Sequence, residues 1–107
     1  MSTRERELND RNFESEKSSG LILAFFWEPW ESGCRREWAI IEKAADVIGE
    51  QLRIGRCNIE ESPELAERLN VRSIPTTIVF KDGKEQERLV GLRHQATLVR
   101  HLKKHLE

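Results

Sequence analysis

The stretch Leu21-Ile22-Leu23-Ala24-Phe25-Phe26-Trp27, followed by Glu28-Pro29-Trp30-Glu31-Ser32-Gly33-Cys34-Arg35, decides the fold. Its first seven residues are all apolar. A strand with no polar side chain to turn toward water is covered on both faces, as in the centre of a parallel sheet. Past Pro29 the period changes. Cys34, Trp38, Ile41, Ala45 and Ile48 recur at steps of four and three, one stripe of an amphipathic helix that runs from Ser32 to about Ile48 and ends at Gly49.

Working outward, Leu52 to Ile59 is a second strand. Ser62-Pro63-Glu64 is a helix start, with a cap, a proline at the first position and an acid, and Leu65, Ala66 and Leu69 form its buried side. Thr76 to Phe80 and Glu85 to Val90 are β-rich runs joined through Lys81-Asp82-Gly83-Lys84, a hairpin signal. A last helix is expected from about Gln95 to Leu106, with Leu98, Leu102 and Leu106 four apart. Upstream, Asn9 or Asp10 caps a short helix through Glu16 anchored by Phe13, and Ser18-Ser19-Gly20 breaks it. Residues 1–8 are expected to be a frayed segment. The order predicts an α/β architecture: a parallel pair with a right-handed crossover, an antiparallel hairpin, and covering helices.

Composition bounds the function. The chain has 107 residues, the size of one domain. Eighteen Lys and Arg against nineteen Asp and Glu leave no basic field for nucleic acid. No apolar run approaches the roughly 20 residues of a membrane span, and residues 1–12 lack the apolar middle of a signal peptide. A cytoplasmic monomer is the expectation. Cys34 and Cys57 are too few for a disulfide scaffold and form no Cys-x-x-Cys pair. No cluster has metal-ligand spacing, so neither metal nor cofactor is expected. His94, His101 and His105 read as one solvated side of the last helix, without an acid or cysteine to accompany them.

Five segments together resemble the thioredoxin-like family. Phe26-Trp27-Glu28-Pro29-Trp30-Glu31-Ser32-Gly33-Cys34-Arg35 resembles its active-site segment, and Cys57-Asn58-Ile59-Glu60 the end of its neighbouring strand. Val71-Arg72-Ser73-Ile74-Pro75-Thr76-Thr77 is similar to the loop with the cis-proline, Phe80-Lys81-Asp82-Gly83 to the hairpin, and Val90-Gly91 to the glycine that opens a groove. The resemblance implies a thioredoxin fold: a mixed sheet of four to five strands flanked by about four helices. It also implies a groove for an extended peptide or partner protein at Trp30, Ile74, Pro75 and Gly91.

The departures bear on chemistry. Glu31 stands where the family has its attacking cysteine, and Gly33 where it has the intervening proline. The resemblance assigns Ala24 to the buried aspartate of the central strand, Arg56 to the nearby lysine and Ala39 to the helix-bending proline. A dithiol reductant needs one sulfur to attack and another to resolve. With Glu31 in place that cycle is broken, and Cys57 is expected to pack as core rather than to rescue it. Two readings of Cys34 remain: a thiol forming mixed disulfides, favoured by a helix N-terminus and by Arg35 and Arg36, or a small buried hydrophobe. Glu31 modulates either, capping the Cys34 N–H and raising the thiol pKa. Arg56 is expected to pair with Glu31 or Glu60. The function implied is a peptide- or protein-binding module tied to cell redox homeostasis without dithiol turnover; the alternative is a monothiol disulfide oxidoreductase acting through Cys34.

Overall fold

Alternation along the strands and the 3.6-residue period of the helices sort the apolar residues into two layers either side of one sheet. The computed structural model describes residues 5–106. In chain order it contains β1 (Glu5–Glu7), α1 (Phe13–Lys17), β2 (Leu21–Trp27), α2 (Gly33–Ile48), β3 (Leu52–Asn58), α3 (Pro63–Arg68), β4 (Thr76–Lys81), β5 (Lys84–Val90) and α4 (Gln95–Lys103). The strands lie in the order β1-β3-β2-β4-β5. β1, β3 and β2 are parallel, while β4 runs antiparallel to β2, and β5 to β4. This is the α/β thioredoxin-type sheet expected, with five strands and four helices among the described residues.

β2 is central, and all but its last residue are buried. Leu21, Leu23 and Phe25 face one core, with Trp38 and Ile41 of α2 and Leu98 and Leu102 of α4. Ile22, Ala24 and Phe26 face the other, with Phe13 of α1, Cys57 of β3 and Leu65 of α3. Each fully buried large side chain removes enough apolar surface from water to contribute about 1.5–3 kcal/mol. The hairpin closes through Asp82 and Gly83, both at positive φ (50° and 87°), the geometry of a two-residue turn whose twist suits the strands. Asp82 also ties the turn to the break before β2: its Oδ1 accepts the Gly20 N–H at 2.8 Å, and its own N–H donates to the Gly20 carbonyl.

Within the segment expected to be frayed, residues 5–7 form the edge strand β1, paired with β3, and Leu8 is buried beside Gly55, where a Cβ would stand 2.8 Å from the Leu8 Cγ. Residues 1–4 lie outside the described residues. Of the two cap candidates, Asn9 holds the entry to α1, its Oδ1 accepting the Arg11 and Asn12 N–H groups at 2.9 and 3.0 Å, whereas Asp10 accepts the Leu65 N–H at 3.0 Å and caps α3 from across the chain. Finally, the C-terminal histidines do have an acid. Glu87 of β5 meets His101 Nδ1 at 3.2 Å, Lys104 Nζ at 3.3 Å and His105 Nε2 at 3.2 Å, clamping the end of α4 onto the sheet. These contacts hold the Glu87 carboxyl below its usual value against the opposing effect of burial.

Candidate functional site

The chain leaves β2 at Trp27 and turns into α2 through Glu28–Ser32, so the site forms where a parallel strand ends and a helix begins. Cys34 is the second residue of α2 and is 3% exposed. Its N–H donates to the Glu31 backbone carbonyl at 3.1 Å, not to the Glu31 carboxylate, and Ser32 at the cap position makes no side-chain cap bond either. Burial pushes the Cys34 thiol up. The Glu28 backbone N–H, hydrogen-bonded to the sulfur, opposes this, while the carboxylates of Glu31, Glu28 and Glu37 add to it. The environment therefore favours the neutral thiol over the nucleophilic thiolate.

Cys57 lies in the other layer. It belongs to the core of Phe26, Ile22 and Leu65, whereas Cys34 belongs to that of Phe25 and Trp38, with the sheet between them. Burial, against a hydrogen bond from Ser62, pushes the Cys57 thiol up to about 11. Both cysteines are free. The same layering corrects another assignment. Ala24 faces away from Cys34, and the central-strand residue on the Cys34 side is Phe25. The position beneath the thiol is thus filled by an aromatic ring, which can neither accept nor relay a proton.

Arg56 is corrected as well. Its Nε donates to Glu7 Oε2 of β1 at 2.9 Å rather than to Glu31 or Glu60, and its guanidinium lies 5.0 Å from the centroid of the Trp38 ring. Arg56 and Glu31 nevertheless line one cavity of about 490 Å³ with Cys34, Phe25 and Trp38. None of Trp30, Ile74, Pro75 and Gly91 lines it. Among the described residues no group of His, Cys, Asp or Glu is arranged to hold a metal ion, and no helix is long and apolar enough to cross a membrane.

The second set of residues comes together around the β4 entrance. The Ile74–Pro75 bond is cis, and the Pro75 carbonyl accepts the Gly91 N–H at 2.8 Å. Gly91 has φ 92°, a conformation that strains any residue with a Cβ. The loop it opens brings Leu92, half exposed, over Gly33 at the start of α2, where a Cβ would stand 3.2 Å from a Leu92 methyl. Trp30, in the turn before α2, is 66% exposed. Pro75 is buried and Ile74 half-buried.

Glu37 of α2 went unread in the sequence. It is 1% exposed and accepts the Arg93 backbone N–H with Oε1 at 3.2 Å and Oε2 at 3.1 Å, fixing the loop between Gly91 and α4. Burial raises its carboxyl above the ordinary 4.5, against the Arg93 hydrogen bond and the attraction of Arg93 and His94. An acid whose folded value is raised contributes most when protonated, and that contribution is lost as pH rises through the folded value. Glu37→Gln keeps an acceptor for Arg93 without the charge. It is expected to melt a few degrees above the parent at neutral pH, with the gap closing below about pH 4.5, in thermal scans across pH.

A family model described as Thioredoxin matches residues 4–104. The chain is 36% identical to a thioredoxin of Bacillus subtilis over 97 residues, covering 91% of this chain and 93% of that protein. It is 40% identical to a thioredoxin of Chlamydia pneumoniae over 98 residues, 92% and 95% of the two chains. Among solved structures, a mutant thioredoxin from Halobacterium salinarum superposes with a TM-score of 0.87 over the whole of this chain and 96% of that one, at 23% identity.

Proposed function

The chain belongs to the thioredoxin family, and from that membership we propose that it is a binding module: it holds an extended peptide or partner protein at Trp30, Ile74, Pro75 and Gly91 and performs no dithiol turnover. The observation that carries this reading is a contrast in exposure between an indole at 66% and the motif's sulfur at 3%. What meets a partner at this end of the sheet is Trp30, not Cys34. Backbone groups at Ile74 add a strand-like pairing to the contact, and the Trp30 ring supplies apolar area. The role fits a monomer in a reducing compartment such as the cytoplasm, within cell redox homeostasis, since two free buried cysteines need no oxidising environment.

A monothiol oxidoreductase acting through Cys34 is the second reading, favoured by one observation: Cys34 is the second residue of the 16-residue helix α2, whose N-terminal N–H groups stabilise a thiolate.

The two separate in one set of measurements. Cys34 is alkylated with iodoacetamide across pH, insulin reduction is assayed with Cys34→Ser as control, and a backbone NMR titration is run with disulfide-free extended peptides. The binding module predicts slow alkylation near neutral pH, no reductase activity, and shifts centred on Trp30 and Ile74. Trp30→Ala is expected to weaken peptide binding by about tenfold, the loss typical of an aromatic anchor. Rapid alkylation at neutral pH, with activity that disappears in Cys34→Ser, overturns it in favour of the monothiol reading.

A further inference from the structure

The cavity beside Cys34 has no part in the groove just described, and its walls are made for a different kind of ligand. At about 490 Å³ it lies within the range of small-molecule sites, roughly 300–1,000 Å³. Its buried floor is Phe25, Trp38 and Cys34, with the two rings tilted against each other at a centroid distance of 5.8 Å. Four charged residues line the rest: Arg35 and Arg56, Glu28 and Glu31. The apolar end calls for a flat apolar group, and the balanced charges call for a head that carries both signs.

Donors suited to a carboxylate are present on this wall. The hydrogen bond of Arg56 to Glu7 uses Nε; the guanidinium lies over the Trp38 ring and is also attracted to Glu42, and its two terminal nitrogens have the geometry that matches a carboxylate. That bond is also readily shared, because both side chains are more than a third exposed, at 40% and 69%. Trp27, another lining residue, has a buried indole N–H without an acceptor among the described residues. Buried donors of this kind are uncommon and mark where a polar partner belongs.

We propose that this cavity binds a free α-amino acid with an aromatic side chain: its ring against Phe25 and Trp38, its carboxylate on Arg56, and its ammonium on Glu28 and Glu31. The site is separate from the peptide groove and lies beneath the motif, beside the Phe25 ring. A peptide's internal residue lacks both charges, so the charged head is what distinguishes this ligand from the groove's.

The test is an NMR titration of the full chain with L-phenylalanine, N-acetyl-L-phenylalanine and L-phenylalaninamide, with affinities from isothermal calorimetry. Saturable shifts of the Trp38 indole and the Arg56 guanidinium are expected with L-phenylalanine. Each blocked analogue, lacking one charge, is expected to bind about tenfold more weakly, as is L-phenylalanine to Arg56→Gln. Glu31→Gln, at an exposed position, provides a second variant with the same expected loss should Arg56→Gln unfold. No saturation by about 10 mM, a range that covers weak millimolar binding, overturns the proposal. So do blocked analogues that bind as well as the parent amino acid, and shifts confined to Trp30 and Ile74. The outcome is independent of the groove: Arg56→Gln is expected to keep peptide binding, and Trp30→Ala to keep phenylalanine binding.

Discussion

Replacing Glu31 with cysteine is expected to raise the protein's disulfide-reducing activity. Residues 31 and 34 are the ends of a tight turn, joined by the bond from the Cys34 N–H to the Glu31 carbonyl. The ends of such a turn lie within about 7 Å, and disulfides form between Cα atoms about 4.4–6.8 Å apart, so the new thiol and Cys34 fall within reach of each other. The new sulfur would also sit just ahead of the 16-residue helix α2, whose unpaired N–H groups and dipole favour a thiolate. At the same stroke the substitution removes one of the carboxylates that hold the Cys34 proton on. Insulin reduction by Glu31→Cys is expected to exceed the parent and a Glu31→Ser control by at least about tenfold, with both sulfurs of the motif lost to thiol titration on oxidation. A variant that forms the disulfide yet stays at the parent's rate would show that the second sulfur is not what limits the site. Phe25, which cannot accept the resolving thiol's proton, would then be the residue to change.

Phe25→Ala carries the largest expected loss of stability. The ring is 1% exposed, lies on the central strand and packs against Trp38, so its removal takes out transfer energy and leaves a hole that α2 cannot fully close. The expected loss is about 3–5 kcal/mol, a large share of the roughly 5–15 kcal/mol that holds a domain of this size folded. Urea unfolding at constant m-value measures it. The variant also widens the cavity under the motif, and Cys34 is expected to react with iodoacetamide faster in Phe25→Ala than in the parent under native conditions. A loss below about 1 kcal/mol would mean that the two rings do not form the floor described.

Much of this was legible because each element carries its own local pattern. The apolar run of β2, the stripe of α2, the Asp82-Gly83 turn and the Ser73-Ile74-Pro75-Thr76 loop are all recognisable within a window of a few residues. What was missed depends on distant partners. β1, reading Glu-Arg-Glu, has no apolar alternation, and only its pairing with β3 makes it a strand. The resemblance put the aspartate's place at Ala24, one residue away from Phe25, the strand residue that packs on the Cys34 side. Glu37 sits in a helix among charged neighbours, and its buried role comes from an N–H 56 positions away. Asp10 and Ser62 divided their tasks in a way no local rule anticipates: the aspartate caps α3, and the serine hydroxyl meets the Cys57 sulfur.

The topology of β2 has a consequence for how the chain is made. Both of its neighbours, β3 and β4, come later in the sequence, so a chain emerging from the ribosome displays its most apolar strand before either can cover it. β3 closes one edge after α2 has formed, but the other edge waits for Thr76–Lys81. Until then the nascent protein carries an open apolar border suited to pairing with another copy of itself. Synthesis therefore passes through a window of aggregation risk that ends only when the hairpin strand arrives.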